Sequence, residues 1–174
     1  RTSHPGRHAL RDSRPPVRRC WRTLIRSLPM LALIQRVTRA SVEVDGQAVG
    51  RIDDGLLALV GVQPGDDPAK VARMAQRLLG YRVFSDDAGK MNRSLADTGG
   101  GLLLVSQFTL AADTDAGMRP SFSTAAPPAE AERIFNQLVE VCRRQHGRVE
   151  TGRFGAHMVV SLVNDGPVTF LLRA

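Results

Sequence analysis

Gly101-Leu102-Leu103-Leu104-Val105-Ser106-Gln107-Phe108-Thr109-Leu110 is the stretch around which the rest of the chain can be ordered. Leu102 to Val105 form an unbroken apolar run, bounded by Thr98-Gly99-Gly100 before and Ala111-Ala112-Asp113 after. That is the pattern of a strand buried on both faces. The polar cluster that follows delivers hydroxyl, amide and backbone N–H groups to the rim of the sheet, where functional groups on such scaffolds gather. Hydroxyls at strand ends also serve only to satisfy backbone groups as the chain leaves a sheet, so Ser106 and Thr109 carry both readings.

Upstream, residues 31–37 and 40–44 alternate as strands, Asp45-Gly46 signals a hairpin turn, and residues 47–52 return. Asp54-Gly55 then leads into an apolar run over 56–62, which continues an antiparallel meander. Asp67-Pro68 offers an N-cap followed by proline at the first helical position. Val71, Met74, Ala75, Leu78 and Leu79 follow at helical spacing, and Gly80 supplies the stop. Residues 85–100 have the composition of a loop.

Downstream, residues 111–123 lack periodicity and form a long loop beside the polar cluster, a place where loops are often functional. A second helix spans residues 129–145, with Ile134, Phe135, Leu138, Val141 and Cys142 on one stripe and His146-Gly147 at its end. Strands follow near 149–151, 158–163 and 168–172. Between the last two lies Asn164-Asp165-Gly166-Pro167-Val168-Thr169, where Gly and Pro indicate a turn. The expected fold is an α+β domain, a mainly antiparallel, barrel-like β-sheet with two packed helices.

Composition narrows the function. No apolar segment approaches the eighteen or so residues of a membrane span. The net charge is +7, and residues 1–29 account for all of it with eight Arg against one Asp, while the 16 basic and 16 acidic residues of 30–174 cancel. Residues 1–29 are therefore expected to be a basic, disordered extension, preceding one domain over residues 30–174. An electrically neutral domain gains little from general phosphate neutralisation, so any contact with RNA should be local. Cys20 and Cys142 stand far apart in no metal-ligand spacing, which suits a reducing cytosol.

No Gly-x-Ser-x-Gly elbow, phosphate loop or His-x-x-Glu-His-like metal motif is present. His4 and His8 lie in the extension, His146 at a helix end and His157 in a sheet segment, which disfavours a Ser-His-Asp triad.

Ser106-Gln107-Phe108-Thr109-Leu110 together with Asn164-Asp165-Gly166-Pro167-Val168-Thr169 closely resembles the two signatures of the D-aminoacyl-tRNA deacylase family, Ser-Gln-Phe-Thr-Leu and Asn-x-Gly-Pro-Val-Thr. The resemblance runs from Met30 through Phe154-Gly155-Ala156-His157-Met158 to the C-terminus. It implies a cytoplasmic hydrolase without cofactor or metal, cleaving the ester of a D-amino acid on the acceptor end of tRNA. It further implies a homodimer in which a Gly-cis-Pro segment, here Gly166-Pro167, enters the partner's pocket and obstructs L side chains. Achiral glycyl esters would be poorly rejected.

By the same resemblance Ser106, Gln107, Phe108 and Thr109 belong to the catalytic segment, Arg36 orients Gly166-Pro167, and Met158 lines the pocket. Physically, backbone N–H groups at 107–109 can stabilise an oxyanion by roughly 3–4 kcal/mol per donor. The nucleophile stays open between the Thr109 hydroxyl, a water and the terminal 2′-hydroxyl, with Thr109 favoured as a positioning group. Two rivals are a nucleic-acid-binding module without catalysis and an editing hydrolase acting on L-aminoacyl-tRNA.

Overall fold

The computed structural model describes residues 29–115, 117–122 and 125–174, so the expected extension over 1–29 lies, apart from Pro29, outside the described residues. Strand β1 (Leu31–Val44) is continuous where two shorter strands were expected. It turns through Asp45 and Gly46, both at positive φ, into β2 (Gln47–Ile52) and then β3 (Gly55–Gly61). Helix α1 (Pro68–Gly80) is capped by the Asp67 side chain, which accepts from the Lys70 N–H at 2.9 Å.

Residues 85–100 are more ordered than their composition indicated. A two-stranded hairpin, β4 (Phe84–Ser85) and β5 (Met91–Arg93), is followed by the single-turn helix α2 (Leu95–Thr98). Asp86 ties the hairpin loop by accepting from the N–H groups of Ala88 and Lys90 and from the Asn92 amide. A reciprocal cap between Ser94 and Asp97 nucleates α2, and the Ser94 hydrogen bonds hold the Asp97 carboxyl below its ordinary range. Such side-chain ties leave no hydrophobic period for sequence reading to detect.

Strand β6 (Gly101–Ser106) leads into a 3-10 turn, Phe108–Ala111. Helix α3 (Pro128–Gln145), β7 (Val149–Thr151) and β8 (Val159–Arg173) complete the chain. Three α-helices are thus present among the described residues where two were expected.

The main sheet is mixed, which corrects the mainly antiparallel expectation. β1 pairs antiparallel with β2, β3 and β8, whereas β3–β6 and β6–β7 are parallel. The reason lies in the connections: hairpins reverse the chain, but the β3–β6 and β6–β7 crossovers each carry a helix that returns it to the starting end. The sheet curls into a barrel-like form in which β2 backs onto β7. A Cβ on Gly50 would stand 2.5 Å from the Thr151 carbonyl oxygen, so only glycine permits that approach.

Burial explains the apolar run. Leu102 and Leu104 belong to the cluster shared with α1 and α3, which includes Met74, Leu78, Ile134 and Leu138. Their neighbours Leu103 and Val105 point the other way, into a second cluster with Val37, Val42, Ile52 and Leu57. All four are essentially inaccessible to solvent, the state in which truncating a Leu to Ala costs about 2–5 kcal/mol. No described helix is long and apolar enough to cross a membrane.

Candidate active site

β6 stops being a strand at Ser106 because the next residues curl into the 3-10 turn. The Gln107 N–H is committed to the Val60 carbonyl at 2.7 Å, and the first bond of the turn runs from the Leu110 N–H to the Gln107 carbonyl at 3.2 Å. The N–H groups of Phe108 and Thr109 precede that bond and are left unused by the turn, as at the start of any helix. The Gln107 amide donates to the Thr109 hydroxyl at 2.5 Å.

A cavity of about 450 Å³ opens beside this turn, walled by Ser106, Gln107 and Phe108 together with Val60, Val62, Phe122 and Phe154. Phe108 and Phe122 pack at 5.2 Å between ring centroids across its mouth. Ala125, Ala126, Pro128 and Ala131 close it on the α3 side. Among the described residues, the walls contain no ionisable side chain. Space of this size lies in the range of small-molecule sites. Phe122, Ala125 and Ala126 escaped sequence reading because a loop following an irregular turn has no period to place them, and Ala131 because it is not one of the large apolar residues that mark the stripe on α3. Phe154 did lie within the matched segment.

The second motif forms neither two strands nor a reversing turn, as had been expected. β8 continues through it, and residues 165–168 bulge out of the strand. Asn164 pairs with Val37 and Thr169 with Gln35, so Arg36 alone faces the four residues between them. Chain direction is preserved because β1 captures β8 again on the far side of the excursion. Within it the Gly166–Pro167 peptide bond is cis and Gly166 has φ +126°.

Arg36 is largely buried and aims its guanidinium into this excursion. Its Nε stands 2.9 Å from Asp165 Oδ2 and 3.2 Å from the Asp165 carbonyl oxygen, and Nη1 donates to the Val83 carbonyl at 2.6 Å. Arg36 and Asp165 border a separate depression of about 330 Å³ with Phe84, Ser85 and Thr98. Within one chain, neither Gly166 nor Pro167 lines the cavity at Ser106. Met158 is also away from it, packed against the barrel-side cluster containing Val42 and Val105, and Thr109 stands exposed at the rim.

Among the described residues the two histidines offer no base to this cavity: His146 Nε2 lies 2.6 Å from the Gly100 carbonyl oxygen at the opposite end of β6, and His157 is not among the walls. Cys142 is buried in the helix–sheet core, which pushes its thiol pKa to about 12. Among the described residues, no three His, Cys, Asp or Glu side chains are gathered to hold a metal ion.

An apolar cleft whose polar groups are backbone N–H, hydroxyl and amide defines a class of site that works by positioning and neutral hydrogen bonding. Comparisons with known proteins give the family. The family model for D-Tyr-tRNA(Tyr) deacylase matches residues 33–173. D-aminoacyl-tRNA deacylase of Xanthomonas campestris pv. campestris (strain 8004) is 81% identical over 145 residues, covering 83% of this chain and 99% of that protein. Its counterpart in Stenotrophomonas maltophilia (strain K279a) is 77% identical over the same shares.

Among solved structures, the c-Myc DNA unwinding element binding protein superposes with a TM-score of 0.79 at 38% identity, covering 83% of this chain and 98% of its own. A probable eukaryotic D-amino acid tRNA deacylase shares the fold, with a TM-score of 0.74 at 14% identity over 84% of this chain and 100% of its own. The chain belongs to the D-aminoacyl-tRNA deacylase family. It is an enzyme, a hydrolase of the aminoacyl-tRNA ester.

Proposed function

We propose that the chain removes D-amino acids from tRNA as a cytoplasmic homodimer, each copy completing the other's site with its Gly166-Pro167 excursion. The observation that carries this reading is the separation, within one chain, of two motifs that the chemistry needs together. Ser106, Gln107 and Phe108 wall the cavity, while Gly166 and Pro167, on the excursion of β8, are not among its described walls.

β8 supports the assembly. It pairs with β1 alone among the described strands and leaves Val159, Leu162, Val163, Phe170 and Leu171 exposed. A long apolar edge strand is a pairing surface that monomers usually protect.

In the proposed reaction a water adds to the ester carbonyl carbon, the carbonyl electrons move onto oxygen, and collapse expels the terminal ribose oxygen, which takes up the proton lost by the water. The products are the free D-amino acid and tRNA. The N–H groups of Phe108 and Thr109 bind the oxyanion, and Gln107 holds the Thr109 hydroxyl as a positioning group. With no ionisable side chain among the described walls, the tRNA 2′-hydroxyl is assigned the proton relay. Gly166 and Pro167 carbonyls crowd the substrate Cα and turn away L side chains. A glycyl ester has no side chain to reject and is also cleaved.

A second reading, nucleic-acid binding without catalysis, draws on the name of the 38% identical solved structure. Deacylation of D- and L-tyrosyl-tRNA, side by side, separates the two. Loss of the D ester alone is expected. Loss of both would remove the chiral role of Gly166-Pro167, and loss of neither by a folded dimer would favour the binding module.

A further inference from the structure

The excursion at residues 165–168 is larger than an ordinary bulge, in which one extra residue is accommodated. Here four residues of β8 stand opposite Arg36 alone. Holding an untethered residue in one conformation costs roughly 1–2 kcal/mol, so a loop of this kind needs ties to keep a single shape. Arg36 ties it from inside, at Asp165. At its neck the tie is Asn164.

The Asn164 amide uses both of its ends. Its Oδ1 accepts from the Val168 N–H at 3.1 Å, and its Nδ2 donates to the Thr169 hydroxyl at 2.9 Å. One bond fixes the returning limb of the loop and the other joins the two β8 residues that flank it. A single side chain that both donates and accepts is required, and among side chains of this length only asparagine supplies an N–H and a carbonyl oxygen together. Thr169 is itself within 3.5 Å of the Gln35 amide on β1, so the neck is referenced to the sheet.

We propose that Asn164 is a positioning residue for substrate chirality: by closing the neck of the 165–168 excursion it sets where the Gly166 and Pro167 carbonyls stand in the partner's pocket. This rests on the reading of Gly166-Pro167 given above. Asn164 does not touch substrate and acts through the loop. Relaxing the loop admits L side chains, so selectivity is lost before activity.

The test is Asn164→Ala in the full chain, with kcat/KM measured separately for D- and L-tyrosyl-tRNA. Two lost hydrogen bonds predict a D-to-L preference lower by about tenfold or more, through faster turnover of the L ester. Thr169→Val, which removes the hydroxyl at nearly constant volume, should move the preference in the same direction, and Thr169→Ser should restore it. The valine variant also carries the test if Asn164→Ala fails to fold. A wild-type enzyme selective for D with both variants within twofold of its preference would overturn the inference while leaving the chiral role of Gly166-Pro167 intact. A wild type that hydrolyses both esters equally would overturn that role and this inference with it.

Discussion

Arg36 Nε lies 2.9 Å from Asp165 Oδ2 while its Nη1 holds the Val83 carbonyl at 2.6 Å, so one guanidinium links the Gly-Pro excursion of β8 to the segment that follows α1. The guanidinium spreads its donors over separate nitrogens of one plane, Nε towards Asp165 and Nη1 towards Val83, whereas an ammonium gathers its three on a single nitrogen. Arg36→Lys is expected to leave either Asp165 or the Val83 carbonyl without its partner. Urea unfolding should show a loss of about 1–2 kcal/mol, accompanied by a weaker preference for D esters. Unaltered stability and selectivity would mean that Arg36 is a passive strand residue.

Gly166 accepts no side chain without movement. A Cβ there would stand 2.7 Å from Val168 Cγ2 and 3.2 Å from Arg36 Nη2, at a φ of +126° that L residues rarely adopt. Gly166→Ala should therefore displace the excursion while the remote core stays folded. Side-by-side kinetics on D- and L-tyrosyl-tRNA should register a changed D-to-L ratio, and the thermal midpoint should move only modestly.

Thr109 discriminates between two chemistries by magnitude. If its hydroxyl positions a group, Thr109→Ala removes about one hydrogen bond and lowers kcat by roughly tenfold or less. If it were the nucleophile, losses on the order of a thousandfold or more would follow. Single-turnover assays on D-tyrosyl-tRNA, with mass spectrometry for an acyl-threonine, measure both. The modest loss without adduct is the expected result.

Leu171 is partly exposed on β8 near the chain end, on the face opposite that of its neighbour Phe170, whose ring packs against Tyr81. Leu171→Glu places a charge on the apolar edge proposed to join two copies. Sedimentation should show the variant shifted toward monomer, with deacylation falling in step with dimer content. A monomeric variant that retained full activity would remove the need for a partner's Gly166.

Cys142 should be inert to alkylation in the native protein. With its pKa pushed to about 12, roughly one thiol in ten thousand is ionised at pH 8, and burial blocks the reagent as well. Raising the pH increases that fraction, since the thiolate gains as pH approaches the pKa. Peptide mapping after iodoacetamide should find Cys142 unmodified until urea is added.

Much of the fold was legible because burial wrote itself into local pattern. Leu102 to Val105 form an unbroken apolar run because alternate residues enter two different cores, and Asp67-Pro68 announced α1 by its capping chemistry. The Asp45-Gly46 hairpin was equally local. The parallel pairings of β6 were not legible, since strand direction depends on where a crossover returns rather than on the strand's own residues. The hairpin at 84–93 and helix α2 were missed because side-chain ties from Asp86 and Asp97, not apolar periodicity, define them.

The chain's order of residues alone determined that a Ser-Gln-Phe-Thr segment ends a buried strand, that Gly166-Pro167 follows Asn164, and that residues 30–174 carry no net charge to hold nucleic acid broadly. Only the tertiary structure decided that residues 165–168, between Asn164 and Thr169, are an excursion within one strand. Pairing of β1 on both sides of Arg36 forces the intervening residues outward, whereas the local sequence is equally compatible with a reversing turn. The same long-range pairing brought Arg36 to Asp165 across 129 positions of sequence, a contact that no local preference encodes.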